Sequence, residues 1–178
     1  MRRPSVPSPA FGATSARDPR GRRGACVDAD ARARLGSVLM SKTWLLKTEP
    51  SAYSFDQLER DRRTTWDGVK NPMALKNMRE IARGDRLLIY HTGDEKAVIG
   101  LAEATSEAYP DPKAKRAGLV VIDLQVGTRL PRPVTLRELK AIPALATFPL
   151  VRLPRLSVMP VSASEWREIE RLSKTAAP

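Results

Sequence analysis

The arrangement of short apolar runs constrains the fold of this chain more than any other feature. Strand-like stretches at 43–48, 87–92, 97–104, 119–126 and 156–161 are separated by capped helical stretches of unequal length. Strands and helices alternate without a regular βαβ rhythm. The expectation is therefore an α+β domain built on a curved, mainly antiparallel sheet flanked by helices. Five or six strands are enough for a partial barrel, although periodicity does not itself specify closure.

Local signals punctuate these runs. Ser54 and Gln57 have capping-box spacing and open a helix through about Arg62. Asn71-Pro72 reads as a helix start, with asparagine as cap and proline at the first helical position. The helix that follows, over 73–83, turns Ala74, Met78, Ile81 and Ala82 inward and Lys76, Asn77, Arg79, Glu80 and Arg83 outward. Gly84-Asp85 ends it. A turn at 93–96 joins the next two strands as a hairpin. Tyr109-Pro110-Asp111-Pro112 is a loop, and strand 119–126 breaks near Gly127. Thr135 with Glu138, and Ser162 with Glu165, cap two further helices, with a short restart at Ile142-Pro143. In the last helix Trp166, Ile169 and Leu172 share a face.

Composition limits the partners. A net charge of +11 on 178 residues favours a polyanion. Residues 1–40 hold eight arginines against Asp18, Asp28 and Asp30, with almost no aromatic or β-branched content. Such a segment cannot bury enough surface to offset its ordering entropy and is expected to be a disordered Arg/Pro/Ala-rich tail, with translation starting at Met40. The body, residues 41–175, remains basic without it. No run of about eighteen apolar residues exists to span a membrane. One histidine, His91, and one cysteine, Cys26, are too few for a zinc site of the usual kind. The lone cysteine fits a reducing compartment, and the chain is read as a cytoplasmic monomer with no metal and no cofactor.

The densest chemistry lies in Trp66-Asp67-Gly68-Val69-Lys70-Asn71-Pro72, where an indole stands beside a carboxylate, a glycine, a cation and a carboxamide. The glycine there permits positive φ or a close approach. Trp44, Trp66, Tyr90 and Tyr109 fall at strand ends or in loops, and each has polar neighbours. These are Lys47, Thr48, Glu49 and Ser51 after Trp44, Asp67 and Asn71 after Trp66, and His91 and Thr92 after Tyr90. Rings can stack on a planar base while such groups read its edge. Taken singly, core is the better reading of any tryptophan, and the pocket reading rests on the polar neighbours. Lys113, Lys115 and Arg116, in a proline-bracketed loop, and Lys70 are candidate phosphate contacts. Lys76 and Arg79 fit a solvated helix face as well. The alternative is a hydrolase using Glu49, Asp67 and His91, or a Ser51, Asp67 and His91 triad. No nucleophile elbow, Walker loop or dinucleotide fingerprint supports catalysis.

Several ordered motifs together carry a family resemblance. They are Trp44-Leu45-Leu46-Lys47-Thr48-Glu49-Pro50, Trp66-Asp67-Gly68-Val69-Lys70-Asn71, Gly84-Asp85, Tyr90-His91-Thr92, Gly100-Leu101-Ala102 and Ala108-Tyr109-Pro110-Asp111. Pro133-Val134-Thr135-Leu136 and Leu156-Ser157-Val158-Met159-Pro160-Val161 continue the series. Over about 42–173 the chain resembles the EVE domain family. The resemblance implies a PUA-like pseudo-barrel related to the YTH readers of methylated adenine. It also implies non-catalytic binding of modified bases in DNA or RNA, 5-methylcytosine among them, in an aromatic-lined pocket. By motif, that pocket would draw on Trp44, Lys47, Thr48, Glu49 and Ser51, with Trp66, Asp67, Gly68, Val69 and Asn71 as a second wall. Tyr90, His91 and Thr92 would lie near it, and Ser157, Met159 and Pro160 would close it. The chain departs from many members at Pro72, Met73, Leu75 and Met159, where apolar groups replace polar or aromatic ones.

Overall fold

The computed structural model describes residues 41–175. The expectations for residues 1–40 and for Cys26 concern positions outside that range. In chain order the elements are β1 (Thr43–Thr48), α1 (Phe55–Asp61), β2 (Arg63–Trp66), α2 (Pro72–Arg79), β3 (Arg86–His91), β4 (Ala97–Ala104), β5 (Tyr109–Pro110) and β6 (Val120–Thr135). Then come α3 (Leu136–Ala141), a 3-10 turn (Pro143–Leu145), α4 (Pro149–Arg152), β7 (Val158–Val161) and α5 (Ala163–Lys174).

The strands form one mixed sheet in the order β2-β6-β4-β3-β1-β7, with the short β5 paired to β6. Only β1 with β3 is parallel among the described pairings, aligning Lys47 with Tyr90 and Thr48 with His91. The fold is thus the α+β curved sheet the sequence implied, and it stays open, with β2 and β7 as its edges. Trp44, Leu45, Leu46, Phe55, Leu58, Met78, Leu87, Leu88, Ile89 and Ile122 are essentially inaccessible to solvent and make up the centre of the core. Burying side chains of this size contributes roughly 1.5–3 kcal/mol each before entropy is counted.

All four helix starts read from the sequence are present. Ser54, Thr135 and Ser162 form reciprocal capping boxes with Gln57, Glu138 and Glu165. The Asn71 side-chain oxygen accepts from the Met73 and Ala74 N–H groups at 2.9 and 3.2 Å, with Pro72 in the first turn.

Four local expectations change. Tyr109-Pro110, read as part of a loop, is the short strand β5, because it pairs with Val120 and Val121 of β6. Strand β6 does not break near Gly127 but continues to Thr135, because β4 follows it through two register shifts around Gly100. Helix α2 ends at Arg79 rather than at residue 83, and Ala82 is exposed instead of inward. The chain turns there so that the Asp85 carboxylate can accept from the Ala82 N–H at 3.0 Å. Asn77 faces inward, where its amide donates to the Val158 carbonyl at 2.8 Å and fastens α2 to edge strand β7.

Candidate nucleic-acid-binding cavity

Past the end of β1 the backbone opens into a cavity of about 690 Å³. It is lined by the β1 end (Lys47, Thr48, Glu49), the Ala52-Tyr53 turn, β2 (Thr64, Thr65, Trp66), the Asp67-Gly68-Val69-Lys70 loop, Lys113 and Ser157. Sheet order explains the convergence. Strand β2 sits at one edge and Ser157 leads into β7 at the other, so the curvature of the sheet brings distant segments to a common mouth.

Each wall is fixed by its own bonds. The Lys47 N–H donates to the Ser157 carbonyl at 2.8 Å, joining the β1 and β7 walls. The Lys47 ammonium donates to the Pro154 carbonyl at 3.1 Å and lies 5.7 Å from the centre of the Tyr90 ring. Burial holds that ammonium below the ordinary lysine pKa. The Thr92 hydroxyl donates to the Glu49 carboxylate. The Thr48 hydroxyl donates to the Tyr53 carbonyl at 2.8 Å, and the Tyr53 hydroxyl to the Asp61 carboxylate at 2.9 Å. Burial, above all, pushes the Tyr53 phenol up. On the second wall, Thr65 and Tyr109 both donate to Asp123, at 2.7 and 3.0 Å. Trp66 is paired with Ile122 on β6, and buried Val69 anchors the loop beyond it. Gly68 adopts φ +74° with open space where a Cβ would stand, so its role is the left-handed turn and not a close approach.

The cavity therefore gathers Lys47, Thr48, Glu49, Trp66, Asp67, Gly68, Val69 and Ser157, together with Lys70 and Lys113 from the proposed phosphate contacts. Other candidates lie elsewhere. Trp44 is 2 % exposed at the start of β1, and its indole N–H donates to Asp85 at 2.8 Å. It borders a separate cavity together with Pro160. Met159 pairs with Leu45 and is fully buried in the core. Ser51 and Asn71 are exposed outside the lining, and the Asn71 oxygen is committed to the helix cap. Tyr90 and Thr92 stand behind the first wall and border a smaller neighbouring cavity that shares Lys47. Tyr109 supports Asp123 from outside, and Lys115 and Arg116 are exposed beyond the lining.

His91 is 4 % exposed, and both of its ring nitrogens are used. Its Nε2 accepts from the Phe55 N–H at 2.9 Å, which requires the neutral tautomer with the proton on Nδ1. That Nδ1–H faces the Glu95 carboxylate at 2.7 Å. His91 thus ties the start of α1 to β3, and the Ser51, Asp67 and His91 set is not brought into one cavity. Among the described residues, no three acidic, histidine or cysteine side chains are grouped to hold a metal ion. No helix among them is long and apolar enough to cross a membrane.

Ala52, Tyr53, Thr64 and Thr65 were not anticipated. Tyr53 satisfies the same criterion as the other rings, an aromatic flanked by polar loop residues. Thr64 and Thr65 were hidden because β2 is only four residues long.

Thymocyte nuclear protein 1 of mouse is 27 % identical over 174 residues, covering 79 % of this chain and 77 % of the relative. A Rhodopseudomonas palustris protein solved by NMR is 40 % identical with a TM-score of 0.70, covering 74 % of this chain and 92 % of that one. Human thymocyte nuclear protein 1, solved in complex with DNA containing 5-methylcytosine, is 26 % identical with a TM-score of 0.71, covering 77 % and 100 %. The EVE domain model matches residues 42–172, and the chain belongs to the EVE domain family.

Proposed function

We propose that this protein is a non-catalytic binding module that seats a modified base of DNA or RNA in the cavity past β1, with the lysines on the rim holding phosphates. The observation that carries the reading is the composition of that cavity. Two rings, Tyr53 and Trp66, stand among three lysines and the carboxylates of Glu49 and Asp67. Its volume falls in the range of about 300–1,000 Å³ usual for small-ligand sites. The DNA complex of the human relative supports 5-methylcytosine as the first base to try. Action as a cytoplasmic monomer, without metal or cofactor, belongs to the same reading.

Titrating wild type with otherwise identical oligonucleotides, with and without one 5-methylcytosine, tests it. The modified strand binds roughly 5-fold tighter or more, about 1 kcal/mol, and Trp66→Ala removes the difference. Lys113→Gln weakens both strands alike and lowers the salt slope by about 1. If neither the methyl group nor the Trp66 substitution changes affinity, the base-site reading fails.

A further inference from the structure

Trp66 is 93 % buried, at 7 % exposure. Of the about 250 Å² that a tryptophan can bury, this leaves roughly 20 Å² open, a sliver too small for a base to stack on. Yet its indole N–H has no hydrogen-bond partner among the described residues, and it is not enclosed as an orphaned buried atom. A tryptophan N–H on a largely buried ring ordinarily finds a partner within the protein, and this one is instead left open. The other buried tryptophan of the sheet follows the rule, since Trp44 donates to Asp85 at 2.8 Å. Trp66 is also one of the residues that line the cavity.

We infer that Trp66 reads the seated base as a hydrogen-bond donor, through Nε1–H to a ring nitrogen or carbonyl oxygen, and does not serve as the stacking platform. This rests on the reading of the cavity as a base site. Tyr53, the less buried ring of the lining, is left to meet the face of the base. The rest of the lining complements the assignment. Lys47 supplies a second donor, and Glu49 and Asp67 supply acceptors. The set fits a ring that carries acceptors next to an exocyclic amino group, which is the edge that an aminopyrimidine such as cytosine presents. A strand-end position suits such a contact. Trp66 is the last residue of β2 and is held by its pairing with Ile122, so the N–H is positioned before the ligand arrives.

The test compares the full chain with Trp66→Phe and with benzothienylalanine at position 66, which keeps the shape of the indole but has no N–H. Binding is measured to an oligonucleotide carrying one 5-methylcytosine, and thermal unfolding confirms that each variant is folded. Both replacements weaken binding about 5- to 10-fold, the loss of one hydrogen bond to a desolvated acceptor. Two analogue strands locate the acceptor, one lacking the ring N3 and one lacking the O2 carbonyl. Against one of them wild type loses the same factor, and the position-66 replacements lose nothing more. Full affinity in the benzothienylalanine protein overturns the inference. So does a penalty that persists undiminished against both analogues. Failure of the base-site reading is distinct, because then Trp66→Ala and Tyr53→Ala both bind as wild type does.

Discussion

Two buried indoles on different strands of the same sheet are treated in opposite ways. At the start of β1, Trp44 is locked to Asp85, a carboxylate 3 % exposed that also accepts from the Lys42 N–H at 2.9 Å and the Ala82 N–H at 3.0 Å. Three donors converge there on one buried acid, and nothing is left over for a ligand. At the cavity, Trp66 is buried almost as deeply but keeps its donor unspent. Depth of burial does not separate the two rings. The partner of the indole N–H does.

The largest effect expected from this contrast is at the closed end. Asp85→Ala strands the buried Trp44 indole N–H and leaves the part-buried Lys42 and Ala82 N–H groups without their acceptor, and stability falls by about 3–5 kcal/mol. Urea unfolding measures the loss. A change below about 1 kcal/mol would break the comparison, because Asp85 would then be no keystone.

Trp44→Phe and Trp66→Phe sharpen the contrast. The first leaves a buried carboxylate short of a donor and lowers stability by about 2–3 kcal/mol, without altering nucleic-acid affinity per folded molecule. The second removes a group with no partner in the free protein and lowers stability by about 1 kcal/mol or less. Equal losses in the two variants would erase the distinction between the rings.

A separate effect concerns a carboxylate that contacts neither ring. Burial works against ionisation of Glu138, but Arg132 at 2.8 Å and the Thr135 backbone and hydroxyl donors outweigh it and bring its pKa to about 2, from an ordinary 4.5. A depressed carboxylate stabilises the fold fully above its unfolded value and loses that contribution as pH falls. Glu138→Gln therefore lowers stability at pH 7 by about 1–2 kcal/mol and flattens the decline between about pH 4.5 and 2. Thermal unfolding across that window checks it. A variant with an unchanged acid limb would shift the search for the acid-sensitive group away from α3.

Much of the fold was legible because its signals are local. Capping pairs act over three residues, and Ser54, Thr135, Ser162 and Asn71 open the helices that they announce. The β3–β4 hairpin is set by two apolar runs around a short turn. The misread points were those settled by partners far along the chain. Helix α2 stops at Arg79 because the turn after it serves Asp85, and β6 runs through Gly127 because β4 adjusts its register.

The same division runs through the site. From the sequence alone came the Asp67–Lys70 loop beside Trp66, the Lys47–Glu49 strand end and the basic character around them, since neighbours in the chain must stay neighbours in space. Only the tertiary structure determined that Tyr53, Thr64 and Thr65 join that wall, that Trp44, Met159 and His91 turn away into the core, and which indole keeps a free N–H. The physical reason is that a side chain's alternation along a strand gives its face, while the partner that satisfies it comes from pairing across the sheet. Trp66 followed by Asp67 could be read from the sequence, but that its N–H stays without a partner among the described residues is decided by the packing around it.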